Sequence, residues 1–206
     1  MDGKEVWIGF NTLEGLNNKD LFEKECFANY KWTILDLAYQ ENSILLYGKD
    51  IRNFLPDPAS IEFDLDDVLA RALYHFEKSL KENATFTAQR EFSKGIIKFA
   101  FYLATLEDSH YFLTSIRTIA NKMQDLVNEG KLDSLVLTYI KEVILFRKTG
   151  AFQIDFESLR YNIIKYITDR LNQGTFHRRM SHQEIVRFLD KSFGGFPTLI
   201  AYYKRN

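Results

Sequence analysis

The run AQREFSKGIIKFAFYLATLE at residues 88–107 decides how this chain is read. Phe92, Ile96, Phe99, Leu103 and Leu106 recur at steps of four and three, the spacing that gathers side chains on one face of an α-helix. Arg90, Lys94 and Lys98 recur at steps of four and lay a basic stripe beside that face. Thr85 or Thr87 can cap the start, because a hydroxyl there accepts from the orphan N–H groups of a first turn. The segment is predicted to be one amphipathic helix, apolar toward a core and cationic toward something else.

The rest of the composition suits a helical protein of ordinary balance. Hydrophobic residues make up 46% and charged residues 27% of 206, enough for one large or two small domains with a sizeable core. The 18 Phe and 11 Tyr predict a core rich in aromatic rings. Only three prolines interrupt the chain, and two of them stand together in Pro56-Asp57-Pro58, the best candidate boundary between parts. A single cysteine, Cys26, excludes an internal disulfide and a multi-cysteine metal site, and fits a reducing compartment. With no charged-then-apolar leader and no apolar run of transmembrane length, a cytoplasmic protein without a membrane partner is expected.

Charge is unevenly placed. Residues 1–67 carry a net −8 and residues 68–206 a net +7. A chain polarised in this way can bind an anion with its basic part, or its two parts can attract each other within or between subunits.

From the start, EVWIGF at 5–10 is a strand candidate, a helix follows over about 19–40, and SILLY at 43–47 is a second short strand that should pair with the first. GKDIRNFL at 48–55 reads as a short helical turn. Beyond it, helices are expected to about residue 81, over 88–107, over 109–127 with Ser109 as cap, over 132–147, over 155–171 capped by Asp155, over 181–191 opened by a Ser181–Glu184 capping box, and over 196–203. The fold class is therefore mainly α: a small N-terminal α/β piece of about two short strands (1–57), a helical bundle (58–173) and a basic helical tail (174–206). Short loops between long helices favour antiparallel neighbours.

Four groups of residues invite chemistry. A row such as Arg90, Lys94 and Lys98 can clamp phosphate oxygens, Arg bidentately and Lys as point charges; spacing alone suits a solvated face better. Asp64 and Asp66 could hold Mg²⁺ if they lay on a strand, but with Asp67 they fall at a helix start, where capping is the simpler role. Arg71 and His75, one helical turn apart, resemble the ribonuclease motif of HEPN all-helical domains, although those space Arg and His more widely; an exposed pair is the plainer reading. His177, Arg178, Arg179 and His182 form a second basic patch near Tyr202 and Tyr203, yet the overall charge of −1 argues against a nucleic-acid partner.

SILLYGKDIRNFLP at 43–56 resembles the segment that follows the catalytic core in aminoglycoside-type nucleotidyltransferases: a strand ending in an aromatic–Gly pair (Tyr47-Gly48), a short helix (50–54), then Leu55-Pro56 and a helical bundle. The stretch from Arg90 to Lys98 is similar to the basic helix of that bundle, and the likeness spans roughly residues 5–170. It implies a nucleotidyltransferase-like protein, reduced or truncated, that keeps the helical half for a nucleotide or small-molecule substrate. It also implies Mg²⁺ arriving with a nucleoside triphosphate, and phosphate contacts from Arg90, Lys94 and Lys98. The family's Gly-Ser turn and paired carboxylates have no counterpart here; Glu5 alone matches the third carboxylate. Two-metal chemistry then lacks ligands, and this chain is not expected to transfer nucleotides without a homo-oligomeric partner or separate chain that supplies the missing core. The rival expectation is an all-helical interaction module, HEPN-like or antitoxin-like, with no small-molecule site.

Overall fold

A computed structural model of the protein describes residues 12–25, 30–38, 45–46, 48–57, 60–61, 64–83, 85–107, 116–174, 176–191 and 195–205. Every regular element among the described residues is helical. The chain divides into two compact units, Met1–Glu62 and Phe63–Asn206.

The first unit holds α1 (Leu13–Asn17), α2 (Lys19–Glu25), α3 (Tyr30–Ala38) and a 3-10 turn at Arg52–Phe54. Thr12 Oγ1 accepts from Gly15 N–H to cap α1, and Asn18 Oδ1 accepts from Leu21 N–H at 3.1 Å as α2 begins. The Tyr30 hydroxyl donates to the Leu16 carbonyl at 3.0 Å, and its ring meets Phe22 edge-on at 5.5 Å. Leu16, Phe22 and Ile34 are buried around this contact. The helix expected over 19–40 is represented by α2 and α3, with 26–29 and 39–40 outside the described residues.

The two N-terminal strands are not seen. EVWIGF at 5–10 lies outside the described residues, as do 43, 44 and 47. Leu45 and Leu46 are described and take no strand conformation, and Leu46 is 92% exposed. An apolar run becomes a strand only if a neighbour satisfies its backbone groups and covers its face. Among the described residues no such neighbour exists.

The second unit contains α4 (Leu65–Lys81), α5 (Thr85–Glu107), α6 (Ile116–Asn128), α7 (Ser134–Thr149), α8 (Phe156–Gln173), α9 (His182–Lys191) and α10 (Pro197–Arg205). Local chemistry sets several ends. Asp64, Asp133 and Asp155 each accept from a backbone N–H in the first turn of α4, α7 and α8. Gly150 and Gly174 close α7 and α8 in the left-handed region, at φ 79° and 71°, which favours residues without a Cβ. Ser181 and Glu184 exchange the reciprocal bonds of a capping box ahead of α9. The expected caps of α5 are corrected: Thr85 and Thr87 are themselves helical. Ser109 lies outside the described residues.

α4 and α5 form an antiparallel hairpin. Ser79 Oγ donates to the Ala88 carbonyl at 2.8 Å, His75 bonds Glu91, and Phe76 lies against Phe92 and Gly95, so α4 numbers fall as α5 numbers rise. The apolar face read from the sequence is the buried one, with Phe92, Ile96, Phe99 and Leu103 in the core. The helix is nevertheless more than amphipathic: Phe99 through Thr105 are buried without a break. α5 is thus surrounded in its second half, by α4, α6 and α7 and by rings from α8 and beyond.

Aromatic contacts fill the space between these helices. Phe146 and Phe152 stack at 4.7 Å, Phe152 and Phe156 at 5.6 Å, and Phe92 meets both Phe152 and Phe156 edge-on. Buried carboxylates tie down backbone at two places. Glu142 accepts from Gln153 and Ile154 N–H at 2.8 and 3.2 Å, which fixes the loop after α7. Glu77 on α4 accepts from Thr198 and Leu199 N–H at 2.9 and 2.7 Å and so caps α10 from another helix.

Candidate functional site

The basic stripe of α5 converges on a carboxylate. Glu91 is 1% exposed, and three groups reach it. Lys94 Nζ donates to Oε1 at 2.8 Å, His75 Nδ1 lies 2.9 Å from Oε2, and Arg90 Nε stands 3.9 Å from Oε1. Lys98 is half-buried and sits close enough to His75 that its charge, like that of Lys94, opposes protonation of the ring. The structure therefore brings Arg90, Lys94 and Lys98 together, and adds Glu91 and His75 from one helical turn of each partner in the α4–α5 hairpin.

The electrostatics follow from burial. Burial pushes the Glu91 carboxyl up, but hydrogen bonds from Lys94 and His75 overcome it and hold the group below its ordinary range. Burial lowers His75, with Glu91 opposing and Lys94 and Lys98 adding to the fall. At neutral pH the carboxylate is charged and the imidazole neutral. A carboxylate only accepts, so the hydrogen of the neutral ring sits on Nδ1 and the lone pair on Nε2.

Arg71 and His75 are not the exposed pair expected from sequence. Each is half-buried and has its own carboxylate: Arg71 Nε lies 3.6 Å from Asp67, His75 bonds Glu91. The reason is the α4 register, which places both beside α5.

The second basic patch is also redrawn. His177 turns inward: Nδ1 lies 2.6 Å from the Tyr102 hydroxyl and Nε2 lies 2.6 Å from Asp66 Oδ1. Asp66 can only accept, so Nε2 carries a hydrogen. Tyr102 is fully buried, and burial raises its hydroxyl well above the ordinary phenol range, so it stays a donor. Arg178 completes the chain with a 2.8 Å bond to Asp66 Oδ2. Neither imidazole nitrogen is available to nucleic acid, and this cluster clasps the segment after α8 to α4 and α5. Asp64 caps α4, and Asp66 accepts from His177 and Arg178 on its two oxygens. Among the described residues no group of three or more His, Cys, Asp or Glu side chains is placed to hold a metal ion.

A separate cleft of about 80 Å³ lies where Leu103, Leu126, Tyr166 and Phe176 meet the charged rim of Lys131 and Arg170. It can hold a few waters but is well below the roughly 300–1,000 Å³ of ordinary ligand pockets.

Sequence reasoning found the three cations and missed Glu91, although it stands inside the same run. The i,i+3 spacing of Glu91 and Lys94 was a usable signal for their pairing. Nothing in the sequence marked Glu91 as buried. No helix among the described residues is long and apolar enough to cross a membrane. Comparison with protein-family models, with curated proteins and with solved structures gives no match.

Proposed function

We propose that the α4–α5 face binds the phosphate groups of a nucleotide, and that the chain serves as the helical half of a nucleotidyltransferase-like protein. The observation that carries this is the meeting of Lys94 and Arg90 at the buried carboxylate Glu91, with Lys98 near His75 on the same well-packed hairpin. Lys94 and Lys98 act as point charges toward phosphate oxygens, and Arg90, 48% exposed at its side chain, is free to swing into a bidentate contact. The net +7 of residues 68–206 adds long-range attraction for an anion. The likeness of 43–56 to nucleotidyltransferases supplies the ligand class. Mg²⁺ enters with the nucleoside triphosphate rather than through a protein cage, as hard phosphate-bound Mg²⁺ commonly does.

Glu91 sets the terms of binding. A phosphate must draw Lys94 away from a carboxylate 2.8 Å distant, so affinity depends on how many cations the ligand engages at once. Di- and triphosphates are favoured over monophosphates on this account.

The test is a thermal shift with Mg²⁺ and each nucleoside triphosphate, run beside Lys94→Ala and Lys98→Ala. A ligand at a hundred times its dissociation constant adds about 2.7 kcal/mol of stability and raises the midpoint measurably. The expected result is a rise that both variants lose. An unchanged midpoint with every nucleotide would sink the proposal, leave the stripe as a solvated face and favour an interaction module.

A further inference from the structure

The α4–α5 cluster holds an imidazole with one nitrogen tied down and the other open. His75 Nδ1 lies 2.9 Å from Glu91 Oε2, and Glu91 is 1% exposed. The opposite nitrogen, Nε2, makes no hydrogen bond among the described residues and is not a buried atom, so it meets solvent on the 20% of the side chain that is exposed. Because a carboxylate only accepts, the neutral ring keeps its hydrogen on Nδ1 and presents a lone pair at Nε2. We infer that His75 is a phosphoryl-acceptor site: its Nε2 takes a phosphoryl group from a small donor with a good leaving group, an acyl phosphate or a phosphoramidate, with Glu91 as the positioning residue.

The inference goes beyond nucleotide binding and does not depend on it. Histidine is among the side chains that form covalent intermediates, and such a nucleophile works best with an orienting group behind it. Glu91 fills that place. It fixes the tautomer, it aims the ring, and it faces the charge that the reaction creates. The Nε2 lone pair forms the N–P bond while the bond from phosphorus to the leaving group breaks, and the leaving group departs with that electron pair. No proton leaves the ring in this step, and nothing is oxidised or reduced. Nδ1 keeps its hydrogen, so the phosphorylated ring carries a positive charge beside a carboxylate shielded from water, as an imidazolium beside a catalytic carboxylate does. Glu91 is itself held in place by Lys94 Nζ, 2.8 Å from its other oxygen.

Two further observations support the assignment. Burial outweighs the pull of Glu91 and keeps the ring neutral at neutral pH, the form that has a lone pair to give. Residues 68–206 carry a net +7, which draws an anionic donor to this part of the chain in preference to a neutral one. His177 provides a contrast within the same molecule. It also meets a carboxylate, but its Nδ1 lies 2.6 Å from the Tyr102 hydroxyl and its Nε2 lies 2.6 Å from Asp66, so neither nitrogen is open.

Potassium phosphoramidate is the probe, since it phosphorylates imidazoles without an enzyme; ammonia is the leaving group and takes its proton from water. The full chain is treated at neutral pH, folded and in urea. Peptide mapping by mass gives the residue labelled, and ¹H–³¹P NMR gives the nitrogen. The expected result is a first phosphoryl group on Nε2 of His75, ahead of the chain's other histidines, with that preference lost in urea. His75→Gln should remove this label. Glu91→Gln should slow it roughly tenfold, the order of loss when the carboxylate behind a working histidine is removed. Should that variant fold poorly, the comparison of folded and unfolded wild type still decides. No label on His75, label on its Nδ1, a preference for His75 that persists in urea, or an unchanged rate in folded Glu91→Gln would overturn the inference. The thermal shift with nucleotides tests the other reading separately.

Discussion

Glu77 sits in the middle of α4, 3% exposed, and hands both carboxylate oxygens to the first turn of α10 while Lys81 Nζ stands 3.0 Å from Oε1. A buried carboxylate is costly unless its lone pairs are filled, and here two backbone N–H groups and an ammonium fill them. Burial pushes its protonation upward, and the bonds from Thr198, Leu199 and Lys81 outweigh that and hold it below the ordinary 4.5. The folded value is depressed, so the stabilisation is fully present above the unfolded value and is lost as pH falls through the folded one, from about pH 4.5 downward. Glu77→Gln presents one amide NH₂ where both N–H donors need an acceptor, and is expected to cost about 1–3 kcal/mol at pH 7. Urea unfolding at pH 7 and pH 3.5 checks this: the gap between wild type and variant should narrow at the lower pH. A gap that stays the same at both would mean that Glu77 is not the titrating support.

At the scale of elements, the α4–α5 hairpin is set by one small residue. A Cβ on Gly95 would stand 2.6 Å from Phe76 Cε1, and the Phe76 ring is wholly buried against Phe92 at 5.7 Å, with nowhere to retreat. Two effects compete in Gly95→Ala. Helix propensity favours Ala by about 1 kcal/mol, and overpacking opposes it by about 1–3 kcal/mol. The buried ring decides for overpacking, so the variant should be less stable, and adding Phe76→Leu should recover part of the loss. A double-mutant cycle in thermal unfolding measures this; equal costs with and without Phe76→Leu would refute the contact.

Gly95 also shows what the sequence disclosed of these elements. It stood in the quoted run as an ordinary glycine inside a helical pattern. The pattern itself was readable because apolar spacing and capping residues act locally, so α4, α8 and α9 begin or end near Asp64, Asp155, Gly174 and Ser181 as expected. The tight approach of Phe76 depends on another helix and left no local mark. The same limit applies to the candidate site: Arg90, Lys94 and Lys98 were legible as a stripe, but the burial of Glu91 and the inward turn of His177 depend on which helices lie alongside. In the strand reading of 43–47 the described residues Leu45 and Leu46 take no strand conformation for the converse reason, since a local apolar run was credited with a partner that the described residues do not provide.

At the scale of the whole molecule, the core residues from Val68 to Leu199 belong to the unit Phe63–Asn206. That unit contains its own caps, aromatic stacks and buried carboxylate bridges. Residues 63–206 alone are expected to unfold cooperatively with a strongly helical circular dichroism spectrum. A gradual, non-cooperative melt of this fragment would show that it leans on the first unit.

The reach of Glu77 has a bearing on how the chain is made. Its partners Thr198 and Leu199 lie 121 and 122 positions further on. At ordinary rates of synthesis, those amides are added on the order of ten seconds after Glu77 itself. The α4–α5 hairpin, whose bonds span short separations, can assemble well before then, holding a carboxylate in its apolar flank without its intended donors. α10 is thus made long after the hairpin it seals, and this unit reaches full stability when Thr198 and Leu199 are in place rather than when its middle collapses.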